Sequence, residues 1–431
     1  MTLLRRLVWS DADDTARSQL LRRSAVPDPE VRAGAIRICD DVGARGTAAV
    51  VEYAERFGGG FRRVTTEELQ TARAATPANV QDAIHASASA VEIYHRTQKP
   101  VPTVTEPTPG VRIERRWSPL DRVGCYVPGG KAAYPSTVVM TVVPARVAGV
   151  TEVVVASPAA ADGSVDPTLA AACAILEVDE LWAVGGAQAV AALAHGAGDL
   201  RPVQKIVGPG NSWVTAAKLA VYGTVAIDLP AGPSEVLVIA DDTADPYLVA
   251  ADLLCQAEHG PDSPAILVTD DPQLADQVDE AITELLGRVR RGAILEQALG
   301  SHGVSVLVDD RATMIDIANR YAGEHVSVHT ASPEAAGREI RAAGSVYIGR
   351  WSPESAGDYA TGANHVLPTG GLAAACGPLA VEDFGSWTQF QTLDEGGLRT
   401  LLPTITGLAE AEGLDAHALA ARIRFERPQE K

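Results

Sequence analysis

Four short stretches carry side chains with the potential for joint chemistry. Residues 256–259 read Gln-Ala-Glu-His, directly before Gly-Pro. On a helix over 246–259, Gln256 and His259 stand one turn apart and face the same way, while Glu258 lies off that face. An imidazole at a helix C-terminus is favoured by the helix dipole. It equally suits a divalent metal, with the Gln256 amide oxygen as a weak second ligand. Two groups at this spacing do not make a metal site, and a capped helix end explains them by itself. Glu324 and His325 form a second acid–imidazole pair, between a helix and a strand, and offer two proton acceptors of different strength. They fall at the start of that strand, whereas open α/β sheets place ligands at strand ends. Residues 352–371 form a long polar, Gly-rich loop holding Asp358 and His365, and loops of this length are often functional. Glu412 and His417 lie on a C-terminal helix, where a solvated face is the plain explanation.

Two Gly-rich turns invite a ligand. VGPGNSW (207–213) runs from a strand into a helix with Asn211 as its N-cap, and VGGAQA (184–189) has the same form. Free amides at such helix starts suit a phosphate, and ordinary βα turns look the same. No GxGxxG follows any strand. GCYVPGGKAA misses the P-loop spacing by one residue and has Ala where Ser or Thr must meet magnesium.

The elements that must position these groups follow from periodicity. Residues 1 to about 98 read as mostly helical, and KPVPTVTEPTPG (99–110) as an extended connector. Strands at 152–158, 180–186, 204–210 and 224–232 alternate with amphipathic helices, which implies parallel strands with crossover helices. The grammar restarts with SEVLVIA, AILVTD, SVLVDD, HVSVHT and SVYIGR, separated by helices at 246–259, 271–287, 312–322 and 334–343. A helical tail spans about 394–425. The fold class is α/β: two Rossmann-like domains, a helical N-terminal region and an extended helical C-terminal tail.

Composition narrows the partners. The 431 residues are 46% apolar and 21% charged, with a net charge of −19. So acidic a surface repels nucleic acid and anionic lipid. Five cysteines, scattered and never in CxxC spacing, exclude a disulfide framework and fit a reducing cytosol. No apolar run is long enough to cross a bilayer, so a cytoplasmic protein is expected.

IDLPAGPSEVLVIAD (227–241), QAEHGPDS (256–263), WSPESAGDYATGANHVLPT (351–369) and AEGLDAH (411–417) together resemble the histidinol dehydrogenase family, over essentially the whole chain. GCYVPGG (124–130), GGAQA (185–189) and GPGN (208–211) fall in the family's order. The resemblance implies a homodimeric enzyme with one zinc per subunit and NAD as oxidant. Its substrate is L-histidinol, oxidised through L-histidinal to L-histidine. It further implies zinc ligands at Gln256, His259, Asp358 and His417, and catalytic bases at Glu324 and His325. Substrate contacts are implied at Ser234, Gln256, His259, His325, Asp358, Glu412 and His417, and NAD contacts at Tyr126, Gln188 and Asn211. The domains implied are 1–22 as an N-terminal segment, 23–122 with 236–380 as the larger catalytic α/β domain, 123–235 as the NAD-side domain, and 381–431 as a tail that crosses to the partner's site.

Two departures from the family pattern stand out. Gly323 takes the place of a common Pro, implying a looser turn, and EDFGSWTQFQTL (382–393) leaves its packing open. A cysteine-dependent aldehyde oxidation through Cys125 or Cys255 is the competing chemistry, disfavoured because neither has a basic neighbour in sequence. A family member acting on another amino alcohol or a hydroxy acid is a second competitor, and a catalytically silent zinc-binding relative a third. Intact Ser234, Glu412 and His417 speak against the former, and intact Glu324 and His325 against the latter.

Overall fold

The computed structural model describes residues 3–129 and 133–426. Gly130 of the GCYVPGG stretch, and residues 427–431 of the tail, lie outside the described residues. The chain divides into two units, Met1–Gln98 with Leu120–Phe384, and Lys99–Pro119 with Gly385–Lys431.

Its first strands are β1 (Arg5–Val8), β2 (Arg62–Arg63), β3 (Thr103–Thr108), β4 (Val111–Pro119) and β5 (Arg122–Tyr126). Then come β6 (Glu152–Ser157), β7 (Glu180–Ala183), β8 (Lys205–Val207), β9 (Ala226–Ile227) and β10 (Val236–Ala240). The last are β11 (Ala265–Thr269), β12 (Gly303–Leu307), β13 (His325–His329), β14 (Ser345–Ile348) and β15 (Gly385–Leu393).

Two six-stranded sheets build the larger unit. One has the order β1-β12-β11-β10-β13-β14 and is parallel throughout. The other has the order β2-β7-β6-β5-β8-β9 and is parallel except for the β2–β7 pair. Each has a point where chain order reverses, between β10 and β13 in one and between β5 and β8 in the other.

The strands are short continuous apolar runs because both of their faces are covered. In β10, Val236, Val238 and Ala240 pack into one buried cluster with the helices Pro246–Ala257 and Pro272–Leu286, while Leu237 and Ile239 pack into another on the opposite face. In the second sheet Tyr126, Val154, Ala156 and Trp182 share a cluster with the helices Pro29–Arg45, Gly186–His195 and Ser212–Val221.

The N-terminal region is helical as the periodicity implies, with β1 and β2 added. β1 pairs alongside β12, and its Arg-Arg start hides it in the sequence. The helix expected over 246–259 spans Pro246–Ala257, with Glu258 as C-cap, so His259 sits in the turn beyond it.

In the smaller unit, the stretch expected to be an extended connector forms β3. It pairs antiparallel with β4, which pairs in turn with β15 from Val111↔Leu393 to Pro119↔Gly385. The unusual 382–393 stretch is thus mostly a sheet strand. Two helices follow, Glu395–Ala411 and Asp415–Glu426, broken at Glu412–Leu414. Leu408, Leu414, Leu419 and Ile423 in this tail are exposed.

Candidate active site

The starts of β10 and β13 are neighbours, with Val236 opposite His325 in the ladder. That register sets Ser234 and Glu235, just before β10, against Glu324, just before β13. Glu324 Oε2 accepts the Ser234 hydroxyl at 2.6 Å and the Glu235 N–H at 2.9 Å. On the other side, Ser345 N–H donates to the Glu324 carbonyl at 2.8 Å and Gly344 N–H to the Gly323 carbonyl at 2.9 Å. The Gly323 turn is therefore tied despite its lack of proline. Burial pushes the Glu324 carboxyl well above the usual glutamate range, and the Ser234 and Glu235 bonds pull against that rise.

His325 is buried, with Nδ1 3.2 Å from both the Glu235 carbonyl and Gln256 Oε1. Both partners are acceptors, so the proton belongs on Nδ1 and Nε2 is left as the free base. Among the described residues Nε2 has no hydrogen-bond partner, and it lies 4.0 Å from Asp358 Oδ1. Burial, with the His259 charge adding to it, brings the His325 pKa down to about 3, against the opposing Glu235 bond. At neutral pH the imidazole is uncharged, with Nε2 unprotonated.

A cluster with the chemistry of a metal site adjoins this pair. Ligand atoms of His259, Glu354 and Asp358 all lie within 4.8 Å of one another. Glu354 and Asp358 stand one turn apart on the short helix Glu354–Tyr359. Glu354 is fully buried, and neither of its carboxylate oxygens has a hydrogen-bond partner among the described residues. Burial and the carboxylates of Asp358, Glu324 and Asp252 raise its pKa strongly. Burial raises Asp358 as well, with His365 and His259 opposing. The fully buried Gln256 turns Oε1 to His325 and leaves Nε2 without a partner among the described residues; a half-turn of the amide exchanges the two. Imidazole, carboxylate and amide donors around buried, unpaired acids fit a divalent metal of borderline character. Glu412 and His417 belong to the smaller unit, where both are exposed. Glu258, adjacent to His259, is exposed at the helix end.

Both Gly-rich turns line the same cavity as Glu324, His325, His259 and Asp358, a space of about 720 Å³. Such a volume is in the range of small-molecule sites. Tyr126 ends β5, and its hydroxyl accepts the Gly186 N–H at 3.1 Å. Asn211 is the N-cap of Ser212–Val221, its Oδ1 accepting from Trp213 and Val214 N–H. Gly208 has φ +109, and a Cβ there would meet the Tyr126 carbonyl at 2.2 Å, so only glycine allows this approach. Gln188 is buried on the helix Gly186–His195. Cys125 and Cys255 are poor nucleophiles: burial pushes the Cys125 thiol up to about 12, and burial with Glu354 and Asp358 raises Cys255.

Sequence spacing did not single out Glu354, although its place four residues before Asp358 on a helix was a usable signal. His365 stood in the sequence without a partner. In the fold its ring links Thr137 Oγ1, at 3.3 Å, to the Asp358 carbonyl, at 3.1 Å.

A histidinol dehydrogenase family model matches residues 21–425. The chain belongs to the histidinol dehydrogenase family. It is 44% identical over 412 residues to the histidinol dehydrogenase of Methanothermobacter thermautotrophicus, covering 95% of this chain and 96% of that one. It is 44% identical over 421 residues to that of Thermobifida fusca, again with 95% and 96% covered. The crystal structure of histidinol dehydrogenase from Elizabethkingia anophelis superposes with a TM-score of 0.92 at 34% identity, covering 99% of both chains. Membership of the histidinol dehydrogenase family makes the chain an oxidoreductase of histidine biosynthesis.

Proposed function

We propose that the chain is an NAD- and zinc-dependent enzyme that oxidises L-histidinol to L-histidine through L-histidinal. The observation that carries this reading is the pairing of a free imidazole Nε2 on His325 with the carboxylate of Glu324 in one cavity, beside an acid–imidazole cluster. Two hydride transfers and one hydration from a single site need two bases of different strength close together.

When bound, zinc would be held by Gln256, His259 and Asp358, with His417 from a partner chain, and would orient the substrate's imidazole and amine; NAD, when bound, accepts the two hydrides. Glu354 stands against the same ligands and, when ionised beside a bound metal, would supply further negative charge. His325 Nε2 takes the hydroxyl proton of histidinol as hydride leaves the carbon that bears the hydroxyl, which gives the aldehyde and one NADH. Glu324 then takes a proton from water as the water oxygen attacks the aldehyde carbon, and protonated His325 returns its proton to the carbonyl oxygen, giving the hydrate and a free imidazole. The hydrate loses a proton to His325 and a second hydride, giving a second NADH and the carboxylic acid, which ionises to the carboxylate in water. Ser234 keeps one Glu324 oxygen hydrogen-bonded, so the other is the one turned to water.

Tyr126, Gln188 and Asn211 bind NAD across the Gly-rich turns of a Rossmann-like sheet. The exposed apolar side chains of the C-terminal tail support a homodimer, with Glu412 and His417 serving the partner's site. A cytoplasmic setting is part of the same proposal, supported by five cysteines that are all free and would stay reduced there. No helix among the described residues is long and apolar enough to cross a membrane. The test is NADH formation from L-histidinol, lost on chelation and restored by zinc. Turnover untouched by exhaustive chelation sinks the metal assignment. Mixed dimers of a His417→Ala chain with a Glu324→Gln/His325→Asn chain regain activity if the tails cross. No recovery overturns that part.

A further inference from the structure

We infer that Arg23 and Glu235 are positioning residues for the catalytic pair, a buried ion pair that fixes the charge and direction around Glu324 and His325. The inference rests on the roles proposed above for those two residues. Arg23 follows the helix Asp14–Leu21 and lies 212 residues from Glu235 in sequence. Their side chains are only 14% and 3% exposed. One Arg23 amino group donates to Glu235 Oε2 and the other to the Tyr321 carbonyl. The guanidinium also lies over the Tyr321 ring, 3.3 Å from its centroid.

Glu235 touches both catalytic residues. Its Oε1 accepts the Glu324 N–H at 3.4 Å and the Gly370 N–H at 3.1 Å. Its own N–H donates to the Glu324 carboxylate at 2.9 Å, so each glutamate holds the other's acid through a backbone amide. Its carbonyl accepts the His325 N–H at 3.2 Å and faces Nδ1 at 3.2 Å, the contact that keeps Nε2 free. Two buried acids in such contact repel, and the guanidinium offsets the inner one. Without Arg23, the Glu235 carboxylate loses its counter-charge and turns away from the repelling Glu324 acid. Turning away releases the Glu324 amide and shifts the carbonyl that fixes the imidazole. Removing one member of a buried pair is far more damaging than removing both.

A simple staple for the N-terminal segment is the competing role, and a charge-swap series separates the two. The set is R23M, R23K, E235Q and the double variant R23M/E235Q, read for kcat, KM, thermal midpoint and the ¹⁵N side-chain spectrum of His325, assigned through H325N. For a positioning pair, R23M lowers kcat on the order of 10- to 100-fold with little change in KM for histidinol or NAD. R23K retains most activity, and the double variant recovers most of what R23M lost. The spectrum reports the Nδ1–H tautomer in wild type and the double variant, and a mixture in R23M. A double variant no better than R23M, with activity tracking the thermal midpoint, overturns the inference. So does R23M with wild-type kcat and tautomer. If R23M does not fold, loss in E235Q and its recovery in the double variant give the same decision. If the wild type makes no NADH, the proposed oxidation fails, and the tautomer series still decides the positioning role.

Discussion

The two largely parallel sheets of the larger unit share one grammar and turn opposite ends to the same cavity. The sheet containing β5 and β8 presents strand ends: Tyr126 closes β5, and Gly208 to Asn211 follow β8 into a helix start. This is the usual place for a ligand in an open α/β sheet, at the point where strand order reverses. The sheet containing β10 and β13 presents strand beginnings, Ser234–Glu235 and Glu324–His325. The difference follows from backbone polarity. Strand ends lead into helix N-termini, whose free N–H groups suit anionic ligands. Strand beginnings offer carbonyls, and the Glu235 carbonyl is what directs the His325 proton to Nδ1. On the proposed function, one sheet holds NAD and the other exchanges protons.

Substitutions at strand beginnings should therefore cut kcat, and those at strand ends should raise KM. The largest effect is expected from His325→Asn, with kcat lowered by about 10²–10⁴-fold for both oxidations. Glu324→Gln should retain the first oxidation and release histidinal, detectable with a carbonyl trap. A Glu324→Gln enzyme that still makes histidine at the wild-type rate removes Glu324 from the chemistry. Next comes the metal cluster. Asp358→Asn, and Glu354→Gln to a lesser degree, should weaken zinc retention by roughly 10–100-fold, read as metal content after dialysis against a chelator.

The pH dependence comes third. Glu324 must be ionised to act as a base, and burial raises its pKa, so the aldehyde step should fail as pH drops through a value well above the ordinary glutamate pKa of about 4.3. An acid limb at the ordinary value contradicts that environment. On the other sheet, Asn211→Ala should cost about 1 kcal/mol of stability through loss of the cap. It should raise KM for NAD several-fold by unseating the turn, with kcat little changed. A kcat effect as large as that of His325→Asn erases the division between holding and reacting. The smallest effect is expected from Cys255→Ser, which should leave aldehyde oxidation intact because the raised thiol pKa gives it no role as a nucleophile.

Strand and helix periodicity made most of both large sheets legible, because continuous Val-rich runs such as Val236–Ala240 announce burial on both faces. β1 and β3 escaped for local reasons: one is short and begins with two arginines, the other contains a proline and reads as linker. Spacing alone left Gln256 with His259, and Glu324 with His325, as isolated pairs, and only the family motifs linked them to Asp358. The register of β10 against β13 supplies what neither spacing nor motif could, the bond from Ser234 to Glu324 and the carbonyl that orients His325. Arg23 had no local signal, since its partner lies in a distant part of the chain.

The central claim is that one cavity performs both oxidations, with His325 and Glu324 dividing the proton work. It is tested most directly by measuring NADH formed per histidine released from L-histidinol by the wild-type enzyme with zinc bound. Two NADH per histidine, with no free histidinal accumulating, is the expected result. A ratio near one, or histidinal as the end product, contradicts it.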